Sequence, residues 1–224
     1  MSAEDFKVDA TYAILQDPSS YDYEAHGPPY LPPKSASSIK PTVRGMVRQA
    51  AVGKAAHFYK TVQSHISPYT NRAYGELAGV LVFLRALSMV HQTNHWATQG
   101  PAYYGDHLLF DRLYGDLVSE IDTVAEKAVG LGGSGLVIAP MLAKSTSDVV
   151  SELCAAQLGT PDPEGRVAMS LQAELRFLVM MQMVAREMRA KGTLSRGTDN
   201  MLASIEDKHE EHVYLLKQRL DTPR

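Results

Sequence analysis

The sequence predicts an all-α protein: a four-helix bundle with a short helix in its crossover, preceded by an additional helix and an extended arm. Three observations predict this fold. Four long segments carry apolar residues at every third or fourth position, and glycine or proline breaks separate them. The connection between the second and third segments leaves room for a crossover. We therefore predict an arm over residues 1–39, an additional helix over 40–68 and the bundle over 69–224.

The N-terminal arm is acidic and rich in proline. The stretch GPPYLPP at residues 27–33 favours polyproline II, and residues 35–38 continue it as a linker. Residues 1–33 contain six acids and a single basic residue, Lys7. A proline-binding module could recognise this stretch, but its several tyrosines favour docking against the protein's own shell.

The additional helix, from Pro41 to about Ile66, is amphipathic and basic. Pro41 suits a first helical turn, and apolar residues recur every three or four positions. Residues 34–72 hold seven Lys or Arg and no acid. These charges could bind DNA phosphates, but the acidic arm would compete for them. Packing or contact between subunits is therefore favoured over DNA binding.

The first two bundle helices form an αα-hairpin. The first runs from Asn71 to about Ala97 and is broken at residues 99–101, Gln-Gly-Pro; the second runs from Tyr104 to about Leu131 and ends at Gly132-Gly133. A short hairpin connection brings the last turn of one helix beside the first turn of the next.

The rest of the bundle follows a break at residues 160–163, Thr-Pro-Asp-Pro. Before it, residues 136–158 predict one or two short helices; after it, the third long helix spans Val167 to about Ala190 and the fourth Thr198 to about Leu220. The methionines of the third helix predict adaptable core packing rather than a metal-binding face.

Five candidate metal ligands lie around the hairpin. They are His95, His107, Asp111, Asp122 and Glu126. The last four project within an arc of roughly 100° on one helix. Asp111 and Asp122 are nevertheless ~16 Å apart along the axis, too far to share one ion with bonds of about 2 Å. Each chain therefore carries two half-sites, and a second copy packed antiparallel near Gly115–Val118 would complete two equivalent sites. Two imidazoles and three carboxylates suit iron, manganese or zinc, and an exposed iron pair suits oxidation chemistry.

The run HQTNHWATQGPAYYGDHLLFDRLYGDLVSEIDTVAEKAVGLGG, residues 91–133, resembles the signature of the Dps mini-ferritins, the DNA-binding proteins from starved cells. It contains a His-Trp pair followed by Gly-Pro, then His-x-x-x-Asp, Asp-x-x-x-Glu and Leu-Gly-Gly. The resemblance implies a ferritin-like fold, a cage of twelve subunits and an inter-subunit ferroxidase centre. His95, His107 and Asp111 would come from one subunit, and Asp122 and Glu126 from its two-fold mate.

The resulting hypothesis is a ferroxidase that oxidises Fe(II) with hydrogen peroxide or dioxygen and stores ferric mineral. The alternative is a structural or DNA-packing protein whose metal site is vestigial or only stabilises the dimer.

In the family, an aromatic residue at the position of Trp96 is associated with taking up oxidising equivalents, although burial of a large ring would also explain it. Acids near the start of the last helix commonly line an iron pore, and only Asp199 matches that region here.

A second metal site inside the bundle is the less favoured interpretation. Glu206-x-x-His209 resembles half of a larger ferritin's core site, and Glu174 could contribute from the third helix. The second helix lacks a Glu-x-x-His, however, so the set is incomplete. We expect His91 to be a hydrogen-bonding neighbour of the site and His212 to lie at a surface or interface. Glu206, Asp207, Glu210 and Glu211 would form a solvated face or a cage-facing nucleation patch.

The composition sets broad limits. The 224 residues are 45% hydrophobic, with a formal charge of −3, which allows one sizeable core. No apolar run approaches the roughly 20 residues of a membrane span, and residues 1–10 lack the features of a signal peptide, so a cytoplasmic location is expected. Cys154 is the only cysteine and is expected to be a buried thiol without a disulfide partner in its own chain.

Overall fold

A computed structural model describes residues 73–155 and 162–221. Within these ranges the predicted all-α fold is confirmed. The α-helices are α1 (Gly75–Trp96), α2 (Tyr103–Gly132), α3 (Ala139–Cys154), α4 (Pro163–Ala190) and α5 (Arg196–Asp221), and a 3-10 turn spans Ser134–Leu136. The predicted arm and the additional helix lie outside the described residues, so their boundaries stay predictions.

The helix ends follow the sequence signals. Asp162 caps α4 by accepting a hydrogen bond from the Gly165 amide at 2.6 Å, and Pro163 occupies the first turn. Gly133 ends α2 with φ +86°, a conformation that favours glycine. A side chain at Gly132 would place its Cβ 2.8 Å from the Ala73 carbonyl oxygen. Gly133 is thus needed to end the helix, and Gly132 is needed to leave room for the segment of the same chain at Ala73.

The four long helices, α1, α2, α4 and α5, enclose an apolar core. α1 packs mainly on α2 and α4 mainly on α5, while α3 covers α1 in the crossover. The α4 methionines Met180, Met181 and Met188 are buried, as the core-packing interpretation predicted. By length and composition α4 could also cross a membrane, but 67% of its apolar window is buried inside the bundle, as in a core helix. Cys154 is only partly buried and packs against the core.

Candidate metal centre

The turn between α1 and α2 brings His95 and His107 together. Their rings stack with centroids 3.8 Å apart and an interplanar angle of 26°. His95 Nδ1 lies 3.0 Å from the carbonyl oxygen of His107, and His107 Nδ1 lies 3.3 Å from that of His95. A carbonyl only accepts, so each Nδ1 carries the proton and donates. In the neutral form of each ring, Nε2 then keeps its lone pair, as a metal ligand requires.

Two tyrosines support this histidine pair. Tyr103 stacks on His107 at 5.2 Å, and Tyr114 meets the edge of His95 at 5.3 Å. Tyr114 also donates a hydrogen bond to Asp111. Desolvation, together with the hydrogen bond and charge of Asp111, raises the pKa of Tyr114. Tyr114 thus links an imidazole to a carboxylate of the same half-site. The sequence analysis missed it, although it lies one turn beyond Asp111 on α2.

The second half-site lies on the far half of α2. Asp122 and Glu126 are exposed, as is Asp111. Because α2 is one continuous helix, Asp111 and Asp122 remain ~16 Å apart, and the five predicted ligands do not converge within one chain. The structure therefore brings His95 and His107 together and connects Asp111 to His95 only through Tyr114, while Asp122 and Glu126 lie on the far half of α2. Their pairing across subunits stays a prediction.

The face of α2 that carries these acids also exposes apolar side chains. Tyr104 is 73% exposed, Leu108 47% and Val118 62%. A Cβ built on Gly115, between them, would have no atom of the described residues within 4 Å. Trp96, next to His95, is 69% exposed, so burial in its own subunit does not explain this ring. An exposed strip that alternates apolar side chains and candidate metal ligands fits a surface that a second chain covers.

Both the sequence and the fold of this chain are similar to those of known proteins, two of which are named for starvation or nutrient stress. The chain is 28% identical over 127 residues to a DNA protection during starvation protein of Brevibacillus brevis, covering 57% of this chain and 80% of the relative. It is 25% identical over 181 residues to a nutrient stress-induced DNA-binding protein of Synechococcus sp., covering 81% and 88%. DpsC from Streptomyces coelicolor superposes with a TM-score of 0.58 at 25% identity, covering 68% of this chain and 86% of DpsC. The resemblance to the Dps family is confirmed. No family model matches the sequence.

Beyond the Dps-like half-sites, the structure corrects the prediction for His212. This residue was expected at a surface or interface, yet it is fully buried on α5 together with His209. Both rings contact Glu174. The expectation failed because Glu174, on another helix, was considered only as a partner of Glu206 and His209 and not of His212. His91 contacts Glu174 at 2.7 Å and is, as predicted, a hydrogen-bonding residue, but its partners are in the bundle core.

The other acids of α5 stay outside that core. Glu206 is partly buried, while Asp207 and Glu210 are exposed. Burial, together with the charges of Glu210 and Asp199, raises the pKa of Glu206 to about 6. The Glu206-x-x-His209 pair was the less favoured interpretation, and Glu206 does not belong to the group that His209 forms with Glu174 and His212. Asp199, the candidate pore acid, pairs with Arg189 at 3.5 Å.

Proposed function

We propose that this Dps-like protein is a cytoplasmic ferroxidase that oxidises Fe(II) at centres shared between two subunits and stores the ferric product in a dodecameric cage. The stacked histidine pair carries this proposal. Both rings use Nδ1 to hold a backbone carbonyl, which leaves Nε2 of the neutral ring available, and His107 lies one turn before Asp111 on α2. Histidines serving only to pack the helices would not need this orientation.

Each centre would combine two half-sites. One subunit would supply His95, His107 and Asp111, and its two-fold mate would supply Asp122 and Glu126. Imidazole and carboxylate ligands suit iron, and three anionic ligands favour Fe(III) over Fe(II). The exposed apolar strip around Gly115 supports an antiparallel pairing of two α2 helices, because that pairing would bury it.

The redox step balances with two irons and one peroxide. Each Fe(II) gives up one electron; the two electrons break the O–O bond, and two protons complete two water molecules. Holding two ions in one centre delivers both electrons to the same peroxide, so no hydroxyl radical is released. Dioxygen could replace peroxide as the oxidant.

Stoichiometric iron oxidation tests this function. The wild-type protein should oxidise added Fe(II) with half an equivalent of peroxide, and the double variant His107→Ala/Asp111→Ala should oxidise it no faster than buffer. The matched control, Arg112→Ala/Glu211→Ala, removes an exposed ion pair between α2 and α5, with side chains 48% and 41% exposed. Such pairs contribute little to stability, so this control should retain wild-type oxidation. Equal rates in all three proteins would reject the ferroxidase proposal.

The second candidate is a DNA-packing protein whose metal site is structural. The names of the two curated relatives refer to DNA protection and DNA binding. The seven basic residues between positions 34 and 72 supply charge for phosphate contacts. The two functions separate in one experiment, since only a ferroxidase must turn over iron. DNA retention without iron oxidation would favour the second candidate.

A further inference from the structure

A compact polar group, which we call the core cluster, lies at the centre of the bundle. It consists of His91 on α1, Glu174 on α4, and His209 and His212 on α5, all with fully buried side chains. The Glu174 carboxylate is the common partner. Its Oε1 lies 2.7 Å from His91 Nε2 and 3.2 Å from His212 Nδ1. Its Oε2 contacts His209 Nδ1. Three imidazoles thus converge on one carboxylate away from solvent.

The core cluster interrupts an otherwise apolar interior. Along α5 it separates Leu202 and Ile205 from Val213 and Leu216, which belong to two different apolar clusters. The ring of Phe177 lies 4.2 Å from that of His209. Burying a carboxylate and three imidazoles costs free energy, and an apolar layer would stabilise the bundle as well or better. Packing alone therefore does not account for these residues.

Two carboxylates orient the outer side of the α5 histidines. His209 Nε2 lies 3.0 Å from Glu120 Oε2, and His212 Nε2 lies 3.1 Å from Asp116 Oδ2. Both acids come from α2, and their side chains are 12% and 31% exposed, so they lie between the core cluster and solvent. Metal-bound histidines typically donate their second N–H to a carboxylate in this way. That arrangement directs both Nδ1 atoms at the centre.

The surroundings of the two α5 histidines favour a cation at the centre. Each of the rings of His209 and His212 lies between two carboxyl groups, and three acids in all, Glu174, Glu120 and Asp116, face the pair. Ionised carboxylates place negative charge around both rings, and a divalent ion at the centre would offset it. The ion would be bound by the Nδ1 lone pairs of neutral imidazoles.

The spacing fits a single ion. One ligand atom each from Glu174, His209 and His212 lie within 4.8 Å of one another. Around a tetrahedral ion with bonds of about 2.1 Å, ligand atoms are ~3.4 Å apart, so small side-chain shifts suffice. His91 Nε2 lies 2.7 Å from Glu174 Oε1 but outside the group whose ligand atoms are all within 4.8 Å, so to become the fourth ligand it has to move farther than the other three.

We propose that the core cluster binds one divalent transition-metal ion of the zinc class through Glu174, His209, His212 and His91. Three imidazoles and one carboxylate suit zinc or cobalt(II), and four protein ligands in a buried position make a closed, structural site. The ion would tie α1, α4 and α5 together behind the middle of α2. It is separate from the iron centre on the outer face of α2 and does not depend on ferroxidase activity.

The test uses the full chain carrying His107→Ala/Asp111→Ala, so that the outer centre is silent, after removal of metals with a chelator. Titration with Co(II) should give one tightly bound equivalent per chain, with the intense visible absorption of four-coordinate cobalt. Adding Glu174→Gln, which keeps the side-chain shape, should weaken binding at least tenfold and abolish that absorption. The control Glu206→Gln/Glu210→Gln removes acids of α5 outside the core cluster and should leave both unchanged.

Two outcomes would overturn the proposal: no four-coordinate cobalt spectrum in the parent chain, or an unchanged spectrum after Glu174→Gln. Either would mean that the core cluster is a proton-filled hydrogen-bond network. Should the Glu174 variant fail to fold, crystals of the parent chain soaked in zinc decide the question by anomalous diffraction. A peak among the three imidazoles supports the proposal, and its absence refutes it.

Discussion

Replacing Gly115 by leucine should change the stability of the isolated chain and the assembly of the dimer in opposite directions. Gly115 lies on the exposed face of α2, and within residues 73–155 and 162–221 a Cβ there would meet nothing within 4 Å. Leucine is roughly 0.7 kcal/mol more favourable than glycine inside a helix. The isolated chain should therefore become slightly more stable.

The two-fold contact should respond in the opposite direction. Overpacking costs about 1–3 kcal/mol per site, and two-fold symmetry places two leucines in each interface. The cost of roughly 2–6 kcal/mol would weaken the dimer roughly 30-fold or more, since about 1.4 kcal/mol changes an equilibrium tenfold. Iron oxidation should fall with assembly, because each centre needs both subunits.

Sedimentation and iron oxidation measured on the same samples check this reasoning. Gly105→Leu is the matched control: Gly105 is also exposed on α2, has no described atom within 4 Å of its Cβ and lies about 110° from the centre of the ligand arc. It should gain the same helix stability without losing assembly. A Gly115→Leu protein that assembles and oxidises iron like wild type would refute the proposed axis.

Three further predictions test other parts of the molecule. Deleting residues 1–33 should expose the seven basic charges of residues 34–72 and produce DNA binding that weakens steeply with salt; tight binding by the intact chain, or none by the truncated chain in a low-salt gel shift, would contradict masking by the arm. The pKa of Glu206 is raised to about 6 from 4.5, so its contribution to stability is present below 4.5 and lost as pH rises through about 6. Glu206→Gln should therefore raise the Tm by a few degrees at about pH 7.5 and leave it unchanged at about pH 4; equal Tm shifts at both would contradict this. Tyr114→Phe should weaken Fe(II) binding roughly tenfold without changing assembly, as measured by titration, and unchanged affinity would remove Tyr114 from the site.

Helix positions were predictable because their signals are local. The break at Gly132-Gly133 and the cap at Asp162-Pro163 act within a single turn of chain, so they can be recognised from a few neighbouring residues. Likewise, the closeness of His95 and His107 follows from a short hairpin. The predicted start of α4 at Val167 was four residues too late, because Asp162 and Pro163, which were interpreted as part of a break, cap and open the helix.

The core cluster could not be predicted from spacing alone. Glu174 and His209 are 35 residues apart on different helices, and Asp116 comes from a third. The prediction relied on the two Glu-x-x-His pairs that larger ferritins use as ligands. The core cluster instead uses two histidines three residues apart on α5. One local signal was available: His209 and His212 share the face of α5 that carries Ile205 and Leu216, and polar residues on a core face require partners.

The central claim, a ferroxidase centre shared between two chains, is tested most directly by mixing two defective subunits. One carries His107→Ala/Asp111→Ala and the other Asp122→Ala/Glu126→Ala, and neither should oxidise iron alone. In a mixed dimer both defects fall on one centre and leave its twin intact. Random pairing of equal amounts should therefore restore about a quarter of wild-type centres. Mixed dimers that demonstrably form but recover no iron oxidation would contradict the shared centre.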